Sequence, residues 1–248
     1  MTTSPDNRLY VPNPLSSGAD LCLNEERSHY AGRVLRLRVN DEVVLFNGTG
    51  CEFVAVISEV SRSAVKLRVR NRRERSVESP LKINLVQGVS RGERMDIVVQ
   101  KATELGVSRI TPIVTAHSVV RLDVDKSERR ATHWTKVAQS ACEQCGRTFV
   151  PLVDAPQSFT SWMAAPAPGD RKRVVLQPGA GTRLSDLRLL PECVELLIGP
   201  EGGLSGTEVD QAMAAGFTQC SLGPRILRTE TAAIAAIAIL QSRHGDLQ

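Results

Sequence analysis

The chain has 248 residues, enough for one large domain or a small one joined to a medium one. With 42% hydrophobic and 23% charged residues it has the composition of an ordinary soluble globular protein, and with 4% aromatics its core must be built mainly from Val, Leu, Ile and Ala. The net charge of +4 is too mild to identify a nucleic-acid binder, and the arginine excess, 25 of 31 basic residues, fits phosphate and base recognition and GC-rich codon usage equally well.

Met1 to Tyr10 lacks a basic stretch followed by an apolar one and does not read as a signal peptide. The first ~75 residues are β-rich by alternation and turn signals. Asp41–Phe46 leads into Asn47-Gly48, a hairpin signal, and Glu52–Val60 follows as the return strand. Ala64–Val69 alternates apolar and basic residues, which buries one face. Asn71–Pro80 is polar, ends in proline and reads as a linker. Beyond it the pattern becomes alternating strands and helices. Ile83–Val89 is a strand, and Ser90 with Glu93 predicts a capping box for a helix carrying Met95, Val98, Val99, Ala102 and Leu105, stopped at Gly106. Ile110–Val114 is a strand. Trp134, Val137, Ala138, Ala141 and Cys145 mark a second helix that ends at Gly146. Val174–Gln177 and Val194–Ile198 are short buried strands. Ser205 and Glu208 form another capping box, for a helix with Val209, Ala212 and Met213 inward and Gly216 at its end. Phe217–Leu222 is the last strand and Thr229–Gln241 the last helix. Alternating βα units predict an α/β fold with a mainly parallel sheet and helices on both faces. The last helix is apolar on nearly every side (TAAIAAIAIL), which suits either a central core position or a subunit interface. Its apolar run, Ala232–Leu240, is too short to span a bilayer.

Of six cysteines only Cys142 and Cys145 form a CxxC, late in a helical pattern and with no second pair or histidines at ligand spacing. The expectation is no metal and reduced, mostly buried thiols in a cytoplasmic protein. The segment Ile198-Gly-Pro-Glu-Gly-Gly203 says more. A buried strand ends in glycines that let backbone approach a ligand, and ligands of parallel α/β sheets sit at strand carboxyl ends. It is neither the G-x-G-x-x-G dinucleotide fingerprint nor a P-loop, which disfavours a nicotinamide enzyme. A second loop of the same plan, Leu222-Gly-Pro-Arg-Ile-Leu-Arg-Thr-Glu-Thr231, carries Ile226 and Leu227 where an exposed loop prefers polar residues, as if to wall or underlie a pocket. Thr229 or a neighbour is placed to cap the last helix, with Glu230 near its positive end.

IGPEGG and SLGPRILRTETAA resemble segments of the bacterial 16S rRNA uridine-N3 methyltransferases of the SPOUT superfamily. The resemblance extends to Gln100–Ser108, Cys142–Pro151 and Val34–Phe46, and so covers nearly the whole chain. It implies a PUA-like RNA-binding β-barrel over residues 1–74, a linker over 75–81, and a SPOUT domain with a C-terminal trefoil knot over 82–248. It implies S-adenosylmethionine as cofactor, held largely by backbone groups, and carries cofactor contacts onto Leu176, Gln177, Gly199, Pro200, Glu201, Gly202, Leu222, Gly223, Ile226, Leu227, Thr229 and Ala232. It implies a homodimer with the last helix at the interface, and 16S rRNA within the 30S subunit as partner. Two positions depart from the family: Gln177 stands where many members carry His, and Thr115-Ala116-His117-Ser118 stands where they often read Ser-Glu-Arg-Ser.

For such a reaction Arg228 is the candidate to stabilise negative charge on the uracil, Glu230 the candidate proton acceptor or orienter of Arg228, and Arg94 a candidate substrate contact; a helix cap and a solvated arginine are the plain readings of the last two. Arg8, Arg33, Arg36, Arg68 and Arg70 are candidates for a phosphate-binding face, with a solvated surface as the usual meaning of such residues. A SPOUT enzyme for another rRNA or tRNA position, and a catalytically silent RNA-binding assembly factor, remain alternatives.

Overall fold

The computed structural model describes residues 7–61, 64–119, 124–166, 169–188 and 193–247. The chain forms two compact units: Met1–Glu78 with Cys142–Val150, and Ser79–Ala141 with Pro151–Gln248.

The first unit opens with β1 (Arg8–Tyr10), β2 (Asp20–Cys22) and a short helix α1 (Glu25–His29), which runs into a π-helical turn over Tyr30–Val34. β3 (Glu42–Phe46), β4 (Glu52–Val60) and β5 (Val65–Arg73) follow, giving a sheet in the order β1-β3-β4-β5-β2. β1 pairs with β3 in parallel and the remaining pairs are antiparallel. The alternation read in β5 is realised. Val65, Leu67 and Val69 join Leu9, Val43, Leu45 and Ile57 in the core, while Lys66, Arg68 and Arg70 are exposed. Cys142–Val150, expected in the second domain, groups with this unit instead. Buried polar side chains account for the departure: Glu143 accepts from the Tyr10 N–H at 2.8 Å and pairs with Arg27 at 2.8 Å, and Arg147 pairs with Glu78 at 2.6 Å. Such groups cannot be buried without partners, and their partners lie in the N-terminal segment.

The second unit is built on β6 (Lys82–Gly88), α2 (Arg94–Glu104), β7 (Arg109–Val114), α3 (Val124–Cys145, its last turn in the first unit), β8 (Leu152–Val153), β9 (Gln157–Ser158), α4 (Phe159–Ala164), β10 (Lys172–Leu176), β11 (Cys193–Ile198), α5 (Gly206–Ala214), β12 (Thr218–Cys220) and α6 (Thr229–His244). The sheet order is β12-β10-β11-β6-β7-β8, with β9 also on β7, and every pair is parallel. A parallel sheet must be covered on both faces, and its central strands accordingly bury Ile83, Leu85 and Val86 in β6 and Val194, Leu196 and Leu197 in β11. One face carries Val86, Ile113, Val175 and Leu197 against Phe159, Val209, Ala212 and Phe217. α2 packs on α6, which also meets β6 and β11.

The expected elements are present, with local corrections. Ser90 and Glu93 form no capping box: Gly92 turns the chain at φ +62°, Ser90 reaches back to the Gly88 carbonyl at 3.5 Å, and α2 starts one residue after Glu93. The box at Ser205 and Glu208 is complete. Met213, expected inward, is exposed. α6 is not buried all round: Ala233, Ala236, Ile237, Leu240 and Gln241 are buried, and Ile234, Ala235, Ala238 and Ile239 are half-buried. Only Cys142 and Cys220 are buried cysteines, where most were expected to be. Burial pushes the Cys142 thiol up to about 12, which keeps it protonated and unreactive. The described residues hold no metal-binding cluster and no helix long and apolar enough to cross a membrane.

Candidate functional site

The carboxyl ends of β10, β11 and β12 open onto a cavity of about 320 Å³. All twelve residues singled out for cofactor contact line it. Ile198, Gly203 and Arg225, within the two loop segments singled out, line it too, as do Pro178, Leu204 and Cys220, which sequence reasoning missed. Cys220 ends a strand, and that position alone could have marked it. Leu176, Leu204, Leu222 and Leu227 line it together with the polar Gln177, Glu201, Arg225 and Thr229, the mixture small-molecule sites require.

Four ties fix the 199–203 loop. Gly203 N–H donates to the Pro200 carbonyl at 2.9 Å, closing a turn. The Thr229 hydroxyl donates to the Gly199 carbonyl at 2.7 Å and accepts from Gln87 Nε2 at 2.8 Å. Thr229 is therefore no helix cap; Arg228 occupies the N-cap position and makes no side-chain cap bond. Gln87 is fully buried, so this relay joins β6, the loop and the first turn of α6 in a dry setting. The third tie is steric. A Cβ on Gly88 would lie 2.4 Å from the Pro200 nitrogen, so only glycine permits this approach. The fourth is Glu201, which accepts from the Arg91 N–H at 3.1 Å and from the Arg94 guanidinium. Burial alone would raise the Glu201 carboxyl, but these donors and its own N–H outweigh it and hold the group below the usual carboxylate range.

The second loop is less enclosed. Gln177 N–H donates to the Cys220 carbonyl at 2.9 Å, anchoring the start of the loop after β10. Ile226 is 85% exposed, so it stands at the cavity rim with an open apolar face rather than packing beneath it. Leu227 and Ala232 are half-buried. Of the three candidate catalytic residues none lines the cavity, although Thr229, between Arg228 and Glu230, does. Arg228 is exposed. Glu230 has a buried Oε2 with no hydrogen-bond partner among the described residues. Arg94 is committed to Glu201.

A larger cavity, about 440 Å³, lies over the amino-terminal half of the same sheet. Its charges satisfy one another. Arg109 grips Asp154 through two bonds of 2.7 and 2.8 Å, and Arg173 meets Glu195 at 3.3 Å. Asn84 donates to Glu195 at 3.1 Å and accepts from Thr111 at 3.2 Å. A polar network so paired holds structure together, whereas the strand-end cavity lies at the carboxyl ends of parallel strands, where ligands of such sheets bind, and is lined by both glycine-bearing loops.

Among the candidate RNA contacts, Arg8 is withdrawn. Its side chain is 7% exposed, pairs with the buried Glu52 and donates to the Arg147 carbonyl at 3.1 Å. Removing it from that pair to bind phosphate would leave the buried Glu52 carboxylate only the looser Arg73 contact at 3.7 Å. Arg33, Arg36, Arg68 and Arg70 are exposed, and Arg68 lies 3.8 Å from Asp20. Arg36 sits at φ +56°, a left-handed conformation uncommon for a non-glycine residue.

Comparison with known proteins identifies what this arrangement accompanies. Residues 77–241 match the RNA methyltransferase domain and residues 23–70 the RNA methyltransferase PUA domain. The ribosomal RNA small subunit methyltransferase E of Buchnera aphidicola is 35% identical over 97% of both chains, and that of Bacillus subtilis 32% identical over 87% of both. A putative methyltransferase of Legionella pneumophila, solved with S-adenosylmethionine, superposes with a TM-score of 0.92 at 39% identity, covering 99% of this chain and 100% of that one. The Neisseria gonorrhoeae ribosomal RNA small subunit methyltransferase E, also bound to S-adenosylmethionine, gives 0.90 at 34% identity, covering 98% and 99%.

Proposed function

As the chain belongs to the ribosomal RNA small subunit methyltransferase E family, we propose that it transfers a methyl group from S-adenosylmethionine to N3 of a uridine in 16S rRNA. The observation that carries this reading is the strand-end cavity. Its apolar walls and loop backbone suit the flat adenine and its hydrogen-bonding edges, and its glycines leave room that side chains would fill. Leu176, Leu222, Ile226 and Leu227 would supply the walls, and the backbone of Gly199 to Gly202 and of Gly223 the polar edges. When bound, the cofactor supplies an activated methyl group.

The chain's own residues must then do three things. They must admit a uridine that is unpaired, because N3 lies on the pairing edge. They must take the N3 proton, because a neutral imide nitrogen is a poor nucleophile. They must stabilise the negative charge that spreads onto the uracil oxygens. Arg228, exposed and adjacent in sequence to the cavity residue Thr229, is the candidate for the last role. Glu230, whose buried Oε2 receives no donor among the described residues, is the candidate proton acceptor or orienter of Arg228, although it does not line the cavity. Arg94 is a weaker candidate for direct RNA contact because Glu201 holds it. Arg33, Arg36, Arg68 and Arg70 would contact the RNA backbone. The trefoil knot, the cytoplasmic setting and a homodimer through α6 belong to the same proposal.

The direct test is methylation of unmodified 30S subunits and naked 16S RNA, with the product mapped by mass. The proposal expects one modified uridine, with 30S the better substrate. Methylation of tRNA or of another rRNA position would replace it, and cofactor binding without transfer to any RNA would support a silent assembly factor.

A further inference from the structure

His117 lies in the turn after β7, outside the two loops that build the cavity. Its Nδ1 is 3.0 Å from the Gly202 carbonyl oxygen. A carbonyl oxygen only accepts, so the ring must carry its proton on Nδ1. The side chain is also in close steric contact: a Cβ on Gly202 would lie 2.9 Å from the His117 Cβ. The peptide joining Gly202 to Gly203 is thereby held at both ends, its carbonyl by His117 and its N–H by the Pro200 carbonyl at 2.9 Å.

The turn that presents His117 is itself fixed. Thr115 N–H donates to Ser118 Oγ at 3.0 Å and Ser118 N–H to the Thr115 carbonyl at 3.0 Å. Ala116 N–H donates to Glu208 Oε1 at 2.8 Å, while Glu208 Oε2 accepts from the Ser205 N–H at 2.8 Å. One carboxylate, 8% exposed, thus joins the turn to the start of α5, directly after the cavity loop. The imidazole is held on a framework that reaches Gly202 from outside the cavity.

We infer that His117 is a positioning residue for the cofactor, orienting the Gly202–Gly203 peptide so that the loop backbone meets its ligand in one conformation. Without the imidazole donor, the Gly202–Gly203 peptide is held at its N–H alone and the loop must be ordered further at the moment of binding. The penalty falls on cofactor affinity, since the chemistry occurs at other residues. A single hydrogen bond at an exposed position is worth about 0.5–1.5 kcal/mol, or roughly twofold to tenfold in Kd.

The inference rests on S-adenosylmethionine binding in the strand-end cavity, and the test separates the two. S-adenosylmethionine binding is measured by calorimetry for wild type, His117→Ala and His117→Asn, with KM, kcat and the melting temperature recorded for each. Asn places its amide nitrogen where the imidazole Nδ1 stood. His117→Ala should raise Kd and KM for the cofactor about fivefold while kcat and the apo melting temperature change little, and His117→Asn should recover most of the affinity. Wild-type affinity in His117→Ala overturns the inference and leaves the proposed function standing. Equal loss in both variants, or a fall in kcat alone, also overturns it. If the wild type itself fails to bind S-adenosylmethionine, both fall together.

Discussion

Arg228 and Glu230 flank Thr229 at the first turn of α6, and their environments differ. Arg228 has solvent around it, and Glu230 has an oxygen shielded from water with no donor among the described residues. If Arg228 stabilises charge only as the methyl moves, Arg228→Ala should lower kcat by ~10²–10³ with S-adenosylmethionine affinity unchanged. Single-turnover kinetics and calorimetry check the two halves; near-normal turnover would remove Arg228 from the role. Glu201 makes a different prediction. Its folded carboxyl lies below its unfolded value near 4.5, so the native state releases this proton more readily than the unfolded chain does. The stability it contributes is present above about pH 4.5 and is lost as pH falls through the folded value. Glu201→Gln should flatten the acid limb of the stability curve, measured by urea unfolding between pH 3 and pH 6, and leave the neutral-to-alkaline limb parallel to wild type.

At the scale of elements, the site exists because parallel strands end together. β6 ends in Gly88, where a side chain would strike Pro200, so Gly88→Ala should displace the loop. The expected cost is ~1–3 kcal/mol of stability with a more than tenfold loss of cofactor affinity, read by thermal melting and calorimetry. Both glycine-bearing loops were legible in the sequence because strand ends, turn glycines and capping signals are local. The close approach of Gly88 was not, because nothing in residues 82–90 announces that a proline 112 residues later will pack against it. Thr229 shows the same limit. Locally it is a plausible helix cap; its actual partners, Gly199 and Gln87, come from two other elements. Ser90 and Glu93 fit the capping pattern equally well and did not form it, since Gly92 redirects the chain.

At the scale of the whole molecule, α6 leaves Ile234, Ala235, Ala238 and Ile239 half-buried, an apolar and small-residue face that suits a second copy of the chain. Sedimentation should give twice the 27.0 kDa chain mass for wild type, and Ile239→Asp should give the monomer. A monomeric wild type at micromolar concentration would remove the dimer. The two units were visible as a change of pattern near residue 75, but the placement of Cys142–Val150 was not. Its buried Glu143 and Arg147 find their partners far away in sequence, and helical periodicity carries no trace of them. The cofactor was legible only through resemblance, and the proposed uridine rests on it too, because the cavity chemistry alone would admit other adenosine-like ligands. The most direct measurement of the central claim is therefore nucleoside mass spectrometry. 16S rRNA from cells lacking this chain is incubated with it and S-adenosylmethionine bearing a deuterated methyl group, then digested and analysed. The label is expected in 3-methyluridine, in one residue per molecule; label in any other nucleoside, or none, would contradict the proposed activity.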